Sequence, residues 1–341
     1  MPSNKTPFVS IIIPCRNEEA HIERCLISVI KNDYPKSHLE IILIDGKSTD
    51  NTRTIIQTFQ KHYSFIALLD NPHKTTPYAL NIGIKNARGE LTMRMDAHTI
   101  YAEDYISKCV TYSTKYNADN VGGVWKIKPQ KNTLIGKSIA CVLNHPLSGG
   151  NAYYRTGHFN EPKEVDTVPF GCYRREVFDK IGLFNENLKR SQDMEFNIRL
   201  KKAGGKIMLF PDIVSYYCAR SSLKEFIRHN YSNGIWAIYP LKFVKTPLSL
   251  RHYVPALFVT SIITSIALTA IYKPFLIFLL LILIPYIFIT FAIAFAIAYK
   301  EKAPLYIFTL PLIFATLHLF YGIGSLVGAI MLLTKNDKKT V

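Results

Sequence analysis

Arg94-Met95-Asp96-Ala97-His98 sets a carboxylate and an imidazole one residue apart at the end of an apolar strand, residues 90–95. Side chains alternate across a strand, so positions i and i+2 share a face, and Asp96 and His98 lean toward one point beyond the strand end. A carboxylate beside an imidazole suits a divalent metal, and the C-terminal edge of parallel strands is where open α/β sheets bind ligands. An unrelated surface Asp and His is the better reading of the pair taken alone. A second carboxylate, Asp193, falls in the first turn of a helix opened by Ser191-Gln192-Asp193-Met194-Glu195-Phe196. The helix dipole there favours charge, which readies a carboxylate to accept a proton while lowering its basicity. Glu195 can serve the same helix end, and both acids acting only as caps is the alternative. Asp45, before Gly46, fits a binding carboxylate and a turn residue about equally.

The elements that must position these groups alternate. Residues 9–13 read as a buried strand ended by Pro14, and residues 18–31 as a helix with Ile22, Leu26, Val29 and Ile30 on one face. Strands at 39–44 and 65–69 follow, with a capped helix through about Gln60 between them and a helix at 76–87 after them. This order implies an α/β fold with a mostly parallel central sheet and helices on both faces. Ligand groups then gather at residues 14–18, at Asp45, and at Asp96 and His98. No glycine-rich phosphate loop is present, so a phosphate must be held in another way, and a metal on Asp96 would do so.

Beyond about residue 251 the character changes. Residues 252–272, 274–299 and 303–334 contain no Lys, Arg, Asp or Glu, and each run exceeds the roughly 20 residues that cross a bilayer as a helix. The expected organisation is a cytosolic domain at 1–222, an interfacial amphipathic linker at 223–250, about three transmembrane helices at 251–334 and a polar tail at 335–341. Pro285, and Gly322 with Gly324, leave room for a kink, a re-entrant piece or a split third run. A cytosolic start with three crossings puts Lys335, Lys338 and Lys339 outside, against the positive-inside tendency. No secretory signal opens the chain, and six cysteines without Cys-x-x-Cys spacing fit a reducing compartment. The net charge of +16 includes a cluster, Arg220, Lys224, Arg228, Lys242, Lys245 and Arg251, just before the first run. That placement fits an anionic leaflet better than nucleic acid.

Several stretches resemble one family in the right order over roughly residues 8–235. Val9-Ser10-Ile11-Ile12-Ile13-Pro14-Cys15-Arg16-Asn17-Glu18 and Ile44-Asp45-Gly46-Lys47-Ser48-Thr49-Asp50 resemble the nucleotide-binding elements of family-2 glycosyltransferases with the GT-A fold. Ala79-Leu80-Asn81-Ile82-Gly83 and Ala87-Arg88-Gly89-Glu90 resemble the helix before that family's metal motif. Gly171-Cys172-Tyr173-Arg174-Arg175, Gly182-Leu183-Phe184-Asn185-Glu186 and Gln192-Asp193-Met194-Glu195 resemble its acceptor side. Within the family the chain is most similar to membrane-anchored enzymes of the succinoglycan, exopolysaccharide-building type, including His318-Leu319-Phe320-Tyr321-Gly322-Ile323-Gly324 in the tail.

The resemblance implies an inverting transfer of one sugar from a nucleoside diphosphate sugar, uridine first and guanosine next, to a polyprenyl-diphosphate-linked acceptor at a cell membrane. It implies Asp193 as general base, and Pro14, Arg16, Glu18, Asp45 and Lys74 around the nucleotide. Asp96 and His98 stand where the family has Asp-x-Asp. The imidazole shifts ligand preference toward Mn²⁺ over Mg²⁺, and His98 contacting the diphosphate or sugar directly is the alternative. Tyr173, Arg174, Arg220 and Trp236 are weaker candidates for acceptor or diphosphate. Chain-elongating synthases of the family carry Gln-x-x-Arg-Trp, whereas here Trp236 follows Ile235, which disfavours a processive synthase. A non-catalytic component of polysaccharide assembly that binds nucleotide sugar is the reading from another class.

Overall fold

The computed structural model describes residues 6–150, 152–157, 159–244 and 248–334. It forms two compact units, Met1–Lys126 with Tyr153–Cys218, and Ile127–Ala152 with Ala219–Val341. Lys245, Lys335, Lys338, Lys339 and the tail at 335–341 lie outside the described residues.

The first unit begins with four parallel strands, β1 (Val9–Cys15), β2 (Leu39–Asp45), β3 (Ile66–Asp70) and β4 (Leu91–Arg94), ordered β3-β2-β1-β4. Helices α1 (Ile22–Ile30), α2 (Thr52–His62) and α3 (Thr76–Asn86) connect them. Strand alternation divides the apolar residues between two faces. Val9, Ile11 and Ile13 pack with Leu26 and Val29 of α1 and Ile56 of α2, while Ile12, Ile42 and Ile44 pack with Ala79, Leu80 and Ile84 of α3.

Two local expectations are corrected. The first strand does not end at Pro14 but runs to Cys15, with Pro14 level with Ile44. Ile12 faces β4, since its carbonyl accepts from Met95 N, so alternation turns the N of Pro14 the same way, where β4 has already ended. The missing N–H therefore costs no ladder bond. The first helix starts at Ile22 rather than residue 18, because the Glu18 carbonyl accepts both His21 N and Ile22 N in a preceding turn.

After β4 the chain continues through β5 (Thr99–Tyr101), α4 (Tyr105–Lys115), β6 (Asn120–Pro129), α5 (Leu134–Asn144) and the short turns α6 (Pro146–Gly149) and α7 (Tyr153–Thr156). Next come β7 (Lys163–Glu164), β8 (Cys172–Arg174), α8 (Arg175–Ile181), α9 (Gln192–Lys202) and β9 (Ile207–Ala219). The sheet extends as β3-β2-β1-β4-β8-β6-β9-β5, with β7 beside β9. The pairs β4–β8, β6–β8, β5–β9 and β7–β9 are antiparallel, so the sheet is mixed, with its parallel half at the amino-terminal end.

The second unit holds α5 and α6 together with α10 (Leu223–Ile238), α11 (Val254–Ile271), α12 (Leu276–Lys300) and α13 (Tyr306–Thr334). Among the described residues three segments, Val254–Ile271, Lys273–Lys300 and Tyr306–Leu333, are long and apolar enough to cross a membrane. α12 passes through Pro285 unbroken and α13 through Gly322 and Gly324, so the third run is not split. The glycines serve close packing instead. A Cβ on Gly324 would lie 2.1 Å from the Tyr231 carbonyl of α10, and one on Gly234 lies 2.1 Å from the Tyr321 carbonyl. α10, placed by the sequence reading in a membrane interface, packs along α13. Residues 127–152 go with these helices rather than with the amino-terminal domain. Their apolar α5 meets α13, where Ser138 and Thr309 hydroxyls bond at 2.7 Å.

Candidate active site at the sheet edge

The C-terminal ends of the parallel strands meet in register: Cys15 pairs with Asp45, and Asp45 with Asp70. The two loops that follow β1 and β2 are knitted together. Asn17, in the left-handed region at φ 54°, donates its N to Ser48 Oγ (2.9 Å) and accepts from Thr49 N (2.8 Å). Glu18 N donates to Thr52 Oγ1 (2.7 Å), and Asn51 N to Glu19 Oε2 (2.9 Å). The exposed Arg16 lays its stem over Gly46, where a methyl group would sit 3.3 Å from it. Half-buried Pro14 and exposed Lys74, the latter in a left-handed turn after β3, lie on the same edge.

Asp45 is buried to 1% exposure and its oxygens are engaged. Ser48 donates both its N and its Oγ (2.5 Å), and Arg53 Nη1 lies 3.1 Å away while also reaching Asp70 at 2.5 Å. The turn reading of Asp45 thus has direct geometry, and through these contacts it fixes the loop that borders the edge.

Asp96 emerges just beyond β4. Its N donates to Tyr101 Oη (2.8 Å), and its carboxylate accepts from Arg94 Nη2 (2.9 Å). The other guanidinium nitrogen, Arg94 Nη1, reaches Asp193 Oδ2 at 3.2 Å. Asp193 stands in the first turn of α9, behind a left-handed Ser191, and accepts from Met194 N through Oδ1 (2.9 Å). One largely enclosed cation therefore joins the two carboxylates singled out in the sequence. Burial opposes the charge on Arg94, but Asp96 and Asp193 outweigh it and hold the guanidinium's pKa above its ordinary value. Both carboxylates keep solvent-exposed surface, whereas Arg94 is 12% exposed.

His98 turns Nδ1 toward Glu18 Oε1 (3.5 Å) and meets the ring of Tyr217 edge-on, which itself stacks on Trp125 at 4.8 Å. Among the described residues no three His, Cys, Asp or Glu side chains converge to hold an ion. The partly exposed Asp96 carboxylate fits an ion whose remaining ligands come from a diphosphate and water, while the His98 imidazole faces Glu18. Mg²⁺ is characteristically bound this way.

Two other candidates stand elsewhere in the first unit. Tyr173 is a core residue, 1% exposed, ringed by Phe178, Phe184 and Phe196, and burial followed by Asp193 pushes its phenol pKa up. It has no open surface to offer an acceptor. Arg174 pairs with Leu91 at the far end of β4 and donates to the Ser113 carbonyl (2.9 Å), so β8 carries it away from Asp96. Arg220 and Trp236 belong to the second unit, half-buried, with Trp236 against Tyr239. Glu195, expected to serve the helix end, instead forms an i, i+4 ion pair along α9 with Arg199, at 2.6 and 3.0 Å. The sequence reading assigned no role to Arg94, Arg53, Asp70 or Tyr217. For Arg94 the signal was available, because the i, i+2 rule that joins Asp96 to His98 joins Arg94 to Asp96.

Residues 10–182 match the family model described as glycosyl transferase family 2. A dolichyl N-acetyl-glucosaminyl phosphate diacetamido-dideoxy-glucuronosyltransferase of Methanococcus voltae is 37% identical over 67% of this chain and 72% of its own. The succinoglycan biosynthesis protein ExoA of Rhizobium meliloti is 28% identical over 68% of this chain and 74% of its own. Among solved structures, the Pyrobaculum calidifontis mannosyltransferase PcManGT, in complex with GDP-Man and Mn²⁺, superposes with a TM-score of 0.60 at 18% identity, covering 98% of this chain and 89% of that one.

Proposed function

This chain belongs to glycosyl transferase family 2 and is a glycosyltransferase, and from that premise we propose that it moves one sugar, with inversion, from a nucleoside diphosphate sugar to a lipid-linked acceptor. The observation that carries this reading is the pair of carboxylates, Asp96 on the strand edge and Asp193 on α9, joined through Arg94. The two carboxylates divide the work. Asp96 lies on the edge where the nucleotide loops converge and serves the donor diphosphate, with His98 beside it. Mn²⁺ or Mg²⁺ on Asp96 would neutralise charge developing on the leaving diphosphate. Asp193 takes the proton of the acceptor hydroxyl as that oxygen attacks the anomeric carbon opposite the leaving group. The loop at residues 14–18, Arg16, Lys74 and the turn built on Asp45 border the nucleoside.

Relatives support the partner classes. One acts on a dolichyl-linked sugar, and a structural neighbour holds GDP-Man with Mn²⁺. UDP-sugars are the first donors to test and GDP-sugars the second. Three apolar helices suit an acceptor whose tail stays in the bilayer, so we place the chain in a cell membrane as a multi-pass protein. The five free cysteines of the first unit, Cys15, Cys25, Cys109, Cys172 and Cys218, agree with its lying on the cytosolic side. The test is transfer by the purified full chain in detergent, with Mn²⁺, a panel of UDP- and GDP-sugars and a polyprenyl-diphosphate-linked monosaccharide. The expected product is the acceptor plus one sugar by mass spectrometry. A ladder of longer products, or no transfer and no hydrolysis from any donor, contradicts the proposal.

A further inference from the structure

Arg94 closes β4, and three backbone N–H donors fix its position: Arg94 N to the Gly171 carbonyl (3.0 Å), Met95 N to that of Ile12 (2.9 Å) and Asp96 N to the Tyr101 side-chain Oη (2.8 Å). From this fixed base the guanidinium reaches carboxylates on two different elements, Asp96 at 2.9 Å and Asp193 at 3.2 Å. A guanidinium is a planar, rigid fork, so the separation of its two terminal nitrogens sets the separation of the oxygens they hold. Without the cation, the Asp193 and Asp96 carboxylates would face each other as like charges.

We propose that Arg94 is a positioning residue that registers the base against the donor: it holds Asp193 at a set distance from Asp96, and so sets the acceptor hydroxyl in line with the anomeric carbon. This rests on the roles given above to Asp96 and Asp193. An ammonium is a point charge rather than a fork and cannot set that distance.

The experiment compares wild type, Arg94→Lys, Arg94→Gln and Asp193→Asn as full chains in detergent, by kcat with donor and acceptor, by UDP or GDP binding with Mn²⁺, and by thermal transition. Misplacing a reacting group by about an ångström costs on the order of 100-fold, so Arg94→Lys is expected to lose about 100-fold in kcat while nucleotide affinity changes less than about threefold. Arg94→Gln is expected to do the same or worse. Retention of kcat within about threefold in Arg94→Lys overturns the inference, as does an equal loss of nucleotide affinity and turnover. Loss of the thermal transition in both Arg94 variants also overturns it, since the cation would then hold the domain together rather than set the base. If Asp193→Asn keeps full turnover, the role of Asp193 itself fails. If Asp193→Asn is inactive and Arg94→Lys is not, only the inference about Arg94 fails.

Discussion

Asp96, Asp193 and Asp45 carry the same side chain, and their surroundings separate them. Asp45 has its oxygens taken by Ser48 and Arg53 beneath the surface, while Asp96 and Asp193 each share one oxygen with Arg94 and keep solvent-exposed surface. The thiols show the same control by environment. Burial raises the pKa of Cys15, Cys25 and Cys109 above the usual 9.0, and it pushes Cys172 up to about 12. Between pH 9 and the raised values the unfolded chain has lost these protons and the native one keeps them. Stability from these groups is therefore full below about pH 9 and falls as pH rises beyond it. Urea midpoints should be level to about pH 9 and decline by about pH 11, with these four thiols inert to iodoacetamide in the native state at pH 8. A midpoint that rises over that range would contradict the burial. At this scale the sequence carried the local signals: i, i+2 spacing for Asp96 and a helix first turn for Asp193. The role of Arg94 depends on a partner 99 residues away, which no local rule brings near. Tyr173 misled because β8 is buried on both faces, Cys172 in one core cluster and Tyr173 in the other, so alternation does not mark an outward side chain.

Among elements, the parallel half of the sheet was legible because β1 and β2 carry unbroken apolar runs, 11–13 and 41–44, that end at Pro14 and at Asp45-Gly46. The antiparallel half was not, for reasons visible in its strands. β5, β7 and β8 span three, two and three residues, too short for any period to register. The longer β6 and β9 are disguised by Gly122-Gly123 and by Pro211, residues that read as turns in isolation. Gly123 is needed because a Cβ there would lie 2.0 Å from the Ile213 carbonyl of β9. Gly123→Ala should force those strands apart and lower stability by about 1–3 kcal/mol or more. The reading is a lower urea midpoint with unchanged slope, and an unchanged midpoint would argue against this pairing of β6 with β9.

At the scale of the whole molecule, the change of composition near residue 251 revealed the apolar helices, but not that residues 127–152 fold with them. That segment is too short and too mixed to register as a span, and only its packing on α13 assigns it. Retention in the pellet through carbonate washing at alkaline pH, with release by detergent, is the outcome expected of Val254–Ile271, Lys273–Lys300 and Tyr306–Leu333 as spans. Release by carbonate alone would contradict it. The division of labour between the two carboxylates is tested most directly by measuring two quantities on one variant, full-length Asp193→Asn in lipid nanodiscs. General-base removal typically costs about 10²–10⁴-fold, so single-turnover transfer should fall by that order while Mn²⁺-dependent nucleotide binding stays within about threefold of wild type. Full transfer by Asp193→Asn, or a loss of nucleotide binding that matches the loss of transfer, would contradict the assignment of the base.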